Sequence, residues 1–140
     1  MNKTIYLAGA ITGLDWYTAK KWRIKIQMWL SQKGWTGINP CDHIPDVEVV
    51  TEQIERECMQ WELWQLRHSD AVICDFSHPK SIGTSWELAT AYELGIPIIG
   101  LKTDETDVVV HPWWGIGAMH ICKNMEELYS YLQKNIIMGG

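Results

Sequence analysis

The chain has 140 residues, 46% hydrophobic and 21% charged, with a formal net charge of -5 at pH 7. That size and composition predict one globular domain over 1–140, and the acidic balance argues against a nucleic-acid polymer as partner, which needs a basic surface. No apolar run approaches the ~20 residues of a membrane span, and Cys41, Cys58, Cys74 and Cys122 lack metal or disulfide spacing, so a cytoplasmic protein with no membrane partner and no metal site is expected.

In chain order, Lys3–Ala8 reads as a strand. The loop Gly9-Ala10-Ile11-Thr12-Gly13 follows at its carboxyl end, where backbone can approach a ligand closely. The dinucleotide spacing G-x-G-x-x-G is absent. Tyr17–Lys33 is an amphipathic helix with Trp22, Ile26, Trp29 and Leu30 on one face, ended by Gly34. Trp35–Ile38 is a short strand. Asn39–Val50 has no period and reads as a lid or binding loop. Thr51–Arg67 returns to helix, with Ile54, Cys58 and Trp61 at helical spacing and Glu52, Glu55, Glu57 and Glu62 giving an acidic surface.

The stretch Asp70–Leu101 organises the rest. Ala71–Phe76 suits a buried parallel strand. Ser77–Gly83 is a loop. Thr84–Leu94 is a helix stopped by Gly95, and Pro97–Leu101 is a second buried strand. In such a βαβ unit, ligands bind at the carboxyl ends of the strands. That gathers Asp75, Ser77, Ser81, Gly83, Thr84 and Glu87 around one mouth. Glu87 has two readings. With Thr84 it fits a capping box. In a first helical turn its anionic form would also be favoured by the dipole, as a nucleophile requires.

Beyond Leu101, Met119–Cys122 reads as a fifth strand, and Asn124 with Glu127 caps a last helix whose Leu128 and Leu132 face the core. Nine tryptophans is a high number for this length. Trp22, Trp29 and Trp61 suit packing. Trp16, Trp86, Trp113 and Trp114 sit near loops or helix ends, where a nucleobase or an oligomer interface would use them. The elements predict an α/β fold, Rossmann-like or flavodoxin-like, with a mostly parallel five-stranded sheet and helices on both faces.

Three segments in the right order, TIYLAGAITG, GTSWELATAYELGIPII and WWGIGAMHICKNMEEL, resemble the nucleoside 2-deoxyribosyltransferase family, including its 2'-deoxynucleoside 5'-monophosphate N-glycosidases. The resemblance implies a small-molecule nucleoside or nucleotide substrate, cleavage or transfer at its N-glycosidic bond, no cofactor, and a homo-oligomer with shared sites. It implies that Glu87 attacks the anomeric carbon, that Tyr6 holds Glu87, and that Glu62, eight positions before Asp70, stands where relatives carry an Asp that serves the leaving base. Substrate contacts would come from Gly9, Ala10, Ile11, Thr12, Asp75, Ser81, Gly83, Thr84, Trp114 and Met119. The chain departs from the pattern at Ala118 and Met119, where transferases carry Asp-Asn. Ser81 replaces the Asp of many nucleoside transferases, as in the monophosphate hydrolases, yet Thr12 stands where those carry Arg. The alternative is a nucleotide-binding or sensing protein that keeps the fold without turnover, with Glu87 as a helix cap only. A buried Glu87 beside Tyr6 would favour the enzyme, and a Glu87 folded back on Thr84 the cap.

Overall fold

A computed structural model describes residues 3–11, 13–43, 49–103 and 109–138. Its strands are β1 (Lys3–Ala8), β2 (Trp35–Ile38), β3 (Ala71–Asp75), β4 (Ile98–Leu101) and β5 (His120–Cys122). Its helices are α1 (Trp16–Gln32), α2 (Glu52–Arg67), α3 (Ile82–Glu93), α4 (Pro112–Gly117) and α5 (Met125–Leu132). A 3-10 turn at Pro40–His43 and a π turn at Gln133–Ile137 complete the elements. The expected lid keeps that 3-10 turn, while its residues 44–48 lie outside the described ones.

The sheet order is β2-β1-β3-β4-β5, and every pairing is parallel. Parallel strands are buried on both faces and read as apolar runs, which is why β1 and β3 carry Ile5-Tyr6-Leu7-Ala8 and Ala71-Val72-Ile73-Cys74. Alternation divides these side chains between two cores. Ile5, Leu7, Ala71, Ile73, Ile99 and Leu101 pack with Ile26 and Leu30 of α1 and Leu128 and Leu132 of α5. Tyr6, Ala8, Val72, Cys74 and Ile98 pack with Leu66 of α2, Leu88 and Ala91 of α3, and Trp114. Gly100 is a glycine for a packing reason: a Cβ there would come within 2.7 Å of the Phe76 ring.

Three local expectations change. α2 buries Leu63 and Leu66, and Ile54, Cys58 and Trp61 are only half-buried, because the helix turns its C-terminal half into the core. α1 buries Ala19, Arg23, Ile26 and Leu30, leaving Trp22 and Trp29 at the margin of that core. Gly115 and Gly117 lie in a short helix and not a bare turn; Pro112 at its start supplies a φ suited to a first helical turn.

In this strand order the chain switches direction between β1 and β3, and the crevice outside the carboxyl ends of those two strands is where such sheets place ligands. No described helix is long and apolar enough to cross a membrane.

Candidate active site

The crevice is built from β1, β3, α1, α2 and α3. α3 enters it differently from the expected capping box. Ser81 is the N-cap: its Oγ accepts from the Thr84 amide at 3.2 Å and from the Thr84 hydroxyl at 2.8 Å. The helix therefore starts at Ile82, one half-turn earlier than expected. Thr84 turns inward and is buried, and Glu87 lies in the second turn, beyond the reach of the terminal N–H groups. The dipole acts mainly on the first turn, so it does not hold Glu87 ionised.

Glu87 is instead buried at 9% exposure, and its Oε2 accepts a short hydrogen bond from the Tyr6 hydroxyl. Tyr6 reaches it from β1, where alternation turns Tyr6 and Ala8 to the α3 side. Burial pushes the Glu87 carboxyl up to about 8. The Tyr6 hydrogen bond opposes that rise, the charge of Glu62 adds to it, and the charge of Arg23 opposes it. Tyr6 is raised strongly, first by burial and then by the charges of Glu87 and Glu62, so it stays a donor. Glu62 projects from α2, half-buried, and burial raises its carboxyl against the pull of Arg23. Tyr6 and Glu87 are thus joined by a hydrogen bond, and the charge of Glu62 adds to the rise of both.

The loop after β3 is set by Asp75, whose Oδ1 accepts from the Ser77 amide at 3.0 Å. The loop after β1 begins at Gly9, where a Cβ would stand 3.0 Å from the Trp22 ring, 3.3 Å from Arg23 Nη2 and 3.4 Å from Asp75 Cβ. Only a residue without a side chain lets those three groups converge. Beyond them an open cleft of about 790 Å³ is lined by Ala10, Gly13, Leu14, Ser77–Ser81, Val109, His111 and Pro112. A smaller groove on the α5 side, lined by His120, Glu127 and Tyr131, lies away from these carboxylates.

The fold brings Tyr6 onto Glu87 and Gly9 against Asp75 and Arg23, with Glu62 acting on Glu87 through its charge; of the expected residues, Ala10 and Ser81 line the cleft. Ile11 is half-buried in the same loop, and Thr12 lies outside the described residues. Gly83 is exposed in the first turn of α3, while the Thr84 amide is taken by Ser81. Trp114 is a core residue: it packs on Phe76 with ring centroids 5.6 Å apart, and its indole N–H donates to Ser85 Oγ. Met119 is exposed at the start of β5, its amide bonded to the Ile98 carbonyl at the opposite, amino end of the sheet. It does not join the crevice of its own chain. Among the described residues there is no group of three His, Cys, Asp or Glu side chains that could hold a metal ion.

The residue missed from the sequence is Arg23. It is fully buried, donating from Nε to the Leu7 carbonyl at 3.1 Å and from Nη2 to the Gly9 carbonyl at 2.9 Å, and its Nη1 bonds the Ala19 carbonyl. The signal was available: positions 19, 23, 26 and 30 form one helical stripe, and Arg23 interrupts its apolar run.

The protein is thus a parallel α/β sheet with a buried, tyrosine-held glutamate beside its switch point. The model of the "Nucleoside 2-deoxyribosyltransferase like" family matches residues 2–105, and the chain belongs to that family. Solved structures share the fold. A 2-deoxyribosyltransferase from Bacillus psychrosaccharolyticus superposes with a TM-score of 0.75 at 20% identity, over 91% of each chain. A conserved protein from Enterococcus faecalis V583 gives 0.74 at 14% identity, over 97% of this chain and 100% of its own. A CMP N-glycosidase from Clostridium botulinum gives 0.59 at 20% identity, over 94% and 99%. No curated protein matches the sequence.

Proposed function

We propose that this chain breaks the N-glycosidic bond of a 2'-deoxynucleoside or its 5'-monophosphate, with Glu87 as nucleophile. The observation that carries the reading is the burial of Glu87 against the Tyr6 hydroxyl, with no bond back to its own helix end. Glu87 attacks C1', the bond from C1' to the base nitrogen breaks, and the electron pair leaves with the base. Glu62 delivers a proton to that base. The glycosyl-enzyme has inverted configuration, and water or a second base then attacks from the opposite face, for net retention. Tyr6 steers one oxygen of Glu87 and leaves the other to attack. Asp75 fixes the loop that closes over the sugar.

Hydrolysis, or mixed activity, is favoured over clean transfer. A transferase must keep water from its glycosyl-enzyme by holding the sugar tightly, and Ala118 and Met119 bring no polar group for that. A 5'-phosphate is admissible because Ser81 adds no negative charge to the cleft, and His78, Lys80 and His111 line it. The match of the family model and the shared fold with a transferase and an N-glycosidase support the general chemistry.

The test is mass spectrometry of deoxynucleosides and their 5'-monophosphates, each with and without a competing base, using Glu87→Gln as control. Release of free sugar or sugar phosphate without exchange is expected. Dominant exchange on unphosphorylated substrates would overturn hydrolysis while leaving Glu87 in its role. We also propose a homo-oligomer, because Trp113, Ile116 and Met119 form an apolar surface at 81%, 74% and 52% exposure. Light scattering should return a multiple of 16.2 kDa.

A further inference from the structure

We propose that Arg23 is a positioning residue for this site: its buried guanidinium, clamped by the carbonyls that end β1, is the fixed positive charge against which Glu87 and Glu62 are held. A guanidinium taken out of water is costly unless something offsets its charge. Arg23 is 0% exposed, and among the described residues no carboxylate lies within ion-pair distance of it. Its partners are the carbonyls of Leu7, Gly9 and Ala19 and the Cys41 sulfur at 3.8 Å. The Trp22 ring lies 4.7 Å from its Cζ.

None of those partners carries a full charge, and a neutral amide side chain could bond the same carbonyls. What a neutral side chain could not do is balance the acids around it. These are Glu87 from α3, Glu62 from α2, and Asp75 at the end of β3. The titratable neighbours Tyr6 of β1, Cys74 of β3 and Cys41 of the 3-10 turn are neutral when protonated. Lys20 and Asp42, 3.9 Å apart beside Cys41, offset each other. The field of Arg23 lowers Glu87, Glu62 and Tyr6 together, against the burial that raises them. Its fork also ties the position of that charge to the backbone of the strand that carries Tyr6. Gly9 permits the arrangement, since a Cβ there would stand 3.3 Å from Nη2.

The kinetic consequence rests on Glu87 being the reacting carboxylate, but the electrostatic claim does not, and the two separate experimentally. The full chain, labelled with carbon-13 at the glutamate carboxyls, is titrated by NMR, with the Glu87 signal assigned through Glu87→Gln. The wild-type midpoint is expected near 8. Arg23→Gln is expected to raise it measurably, and Arg23→Lys to leave it close to wild type. A folded Arg23→Gln protein with an unchanged midpoint overturns the proposal. Should Arg23→Gln fail to fold, Arg23→Met, which also removes the charge, decides: a raised midpoint supports the proposal and an unchanged one overturns it. With a substrate in hand, the acid limb of kcat/KM must move with the NMR midpoint. A chain that turns over no nucleoside defeats the proposed activity and leaves the titration result standing.

Discussion

Helices α1 and α3 each leave the carboxyl end of a parallel strand, and each buries one charged side chain beyond its first turn. Arg23 and Glu87 are buried to a similar depth, on helices that cover opposite faces of the sheet. Their partners differ. Arg23 is satisfied on all three guanidinium nitrogens by backbone carbonyls and a sulfur. Among the described residues, Glu87 has the Tyr6 hydroxyl on one oxygen and no donor on the other. Arg23 is therefore held in one place and does not itself react. A buried carboxylate short of donors is pushed up to about 8, and only its ionised form, with one oxygen free of Tyr6, has what a nucleophile needs. The contrast separates a charge fixed on every nitrogen from a carboxyl left open on one oxygen, the one proposed to react.

The largest effect should come from removing the acting charge. Glu87→Gln is expected to lower turnover of a confirmed substrate by about a thousandfold or more, with a native circular dichroism spectrum. Near-wild-type turnover would break the contrast. The same variant has a stability signature. The folded carboxyl is raised above its ordinary value, so its contribution is fully present below about pH 4.5 and is lost as pH rises toward about 8. In that window the unfolded chain is ionised while the folded one still holds its proton. Glu87→Gln should therefore gain stability relative to wild type between those pH values and hold a constant lead above them, as measured by urea melts at pH 4, 6 and 9.

Tyr6→Phe takes away the one donor that Glu87 has among the described residues. A hydrogen bond to a charged group contributes about 1.5–3 kcal/mol, so the rate near neutral pH should fall roughly 10- to 100-fold. The acid limb of the pH profile should also move upward, because the bond favours the anion. An unmoved limb would mean that Tyr6 only packs.

The smallest effects compare the two helix starts. Asp15 caps α1 through the Thr18 amide at 2.9 Å, and Ser81 caps α3 through the Thr84 amide. Asp15→Ala should lower the melting temperature only slightly, since the exposed Thr18 hydroxyl turns to water. Ser81→Ala should cost more, by about 1–3 kcal/mol, because the buried Thr84 hydroxyl loses its acceptor. Equal melting shifts would show that Thr84 finds another partner.

The fold was legible because its strands are apolar runs, its helix stops are glycines at Gly34 and Gly95, and its βαβ rhythm is regular. The place of Tyr6 and Glu87 in one crevice followed from strand-end logic and from the family resemblance. What was not legible depends on competition between neighbours. Ser81 and Thr84 are both good caps, and only the path of the loop after Asp75 decides that Ser81 wins and Thr84 is buried. Arg23 was passed over because a cation on an amphipathic helix ordinarily faces water. Its carbonyl partners at Leu7 and Gly9 lie on another strand, which no local spacing reveals.

The bond between Tyr6 and Glu87 spans 81 positions, and this has a consequence for synthesis. A nascent chain that has reached Asp75 contains β1, β2 and β3 and can align them, but it contains no Glu87. Residues Glu87, Leu88 and Ala91 leave the ribosome together, and the last two cover the apolar face formed by Tyr6, Val72 and Cys74. The segment that supplies Glu87 is thus the segment that closes that core. A half-made or locally unravelled chain exposes an apolar sheet, which chaperones and proteases recognise, before it can present a tyrosine-held glutamate.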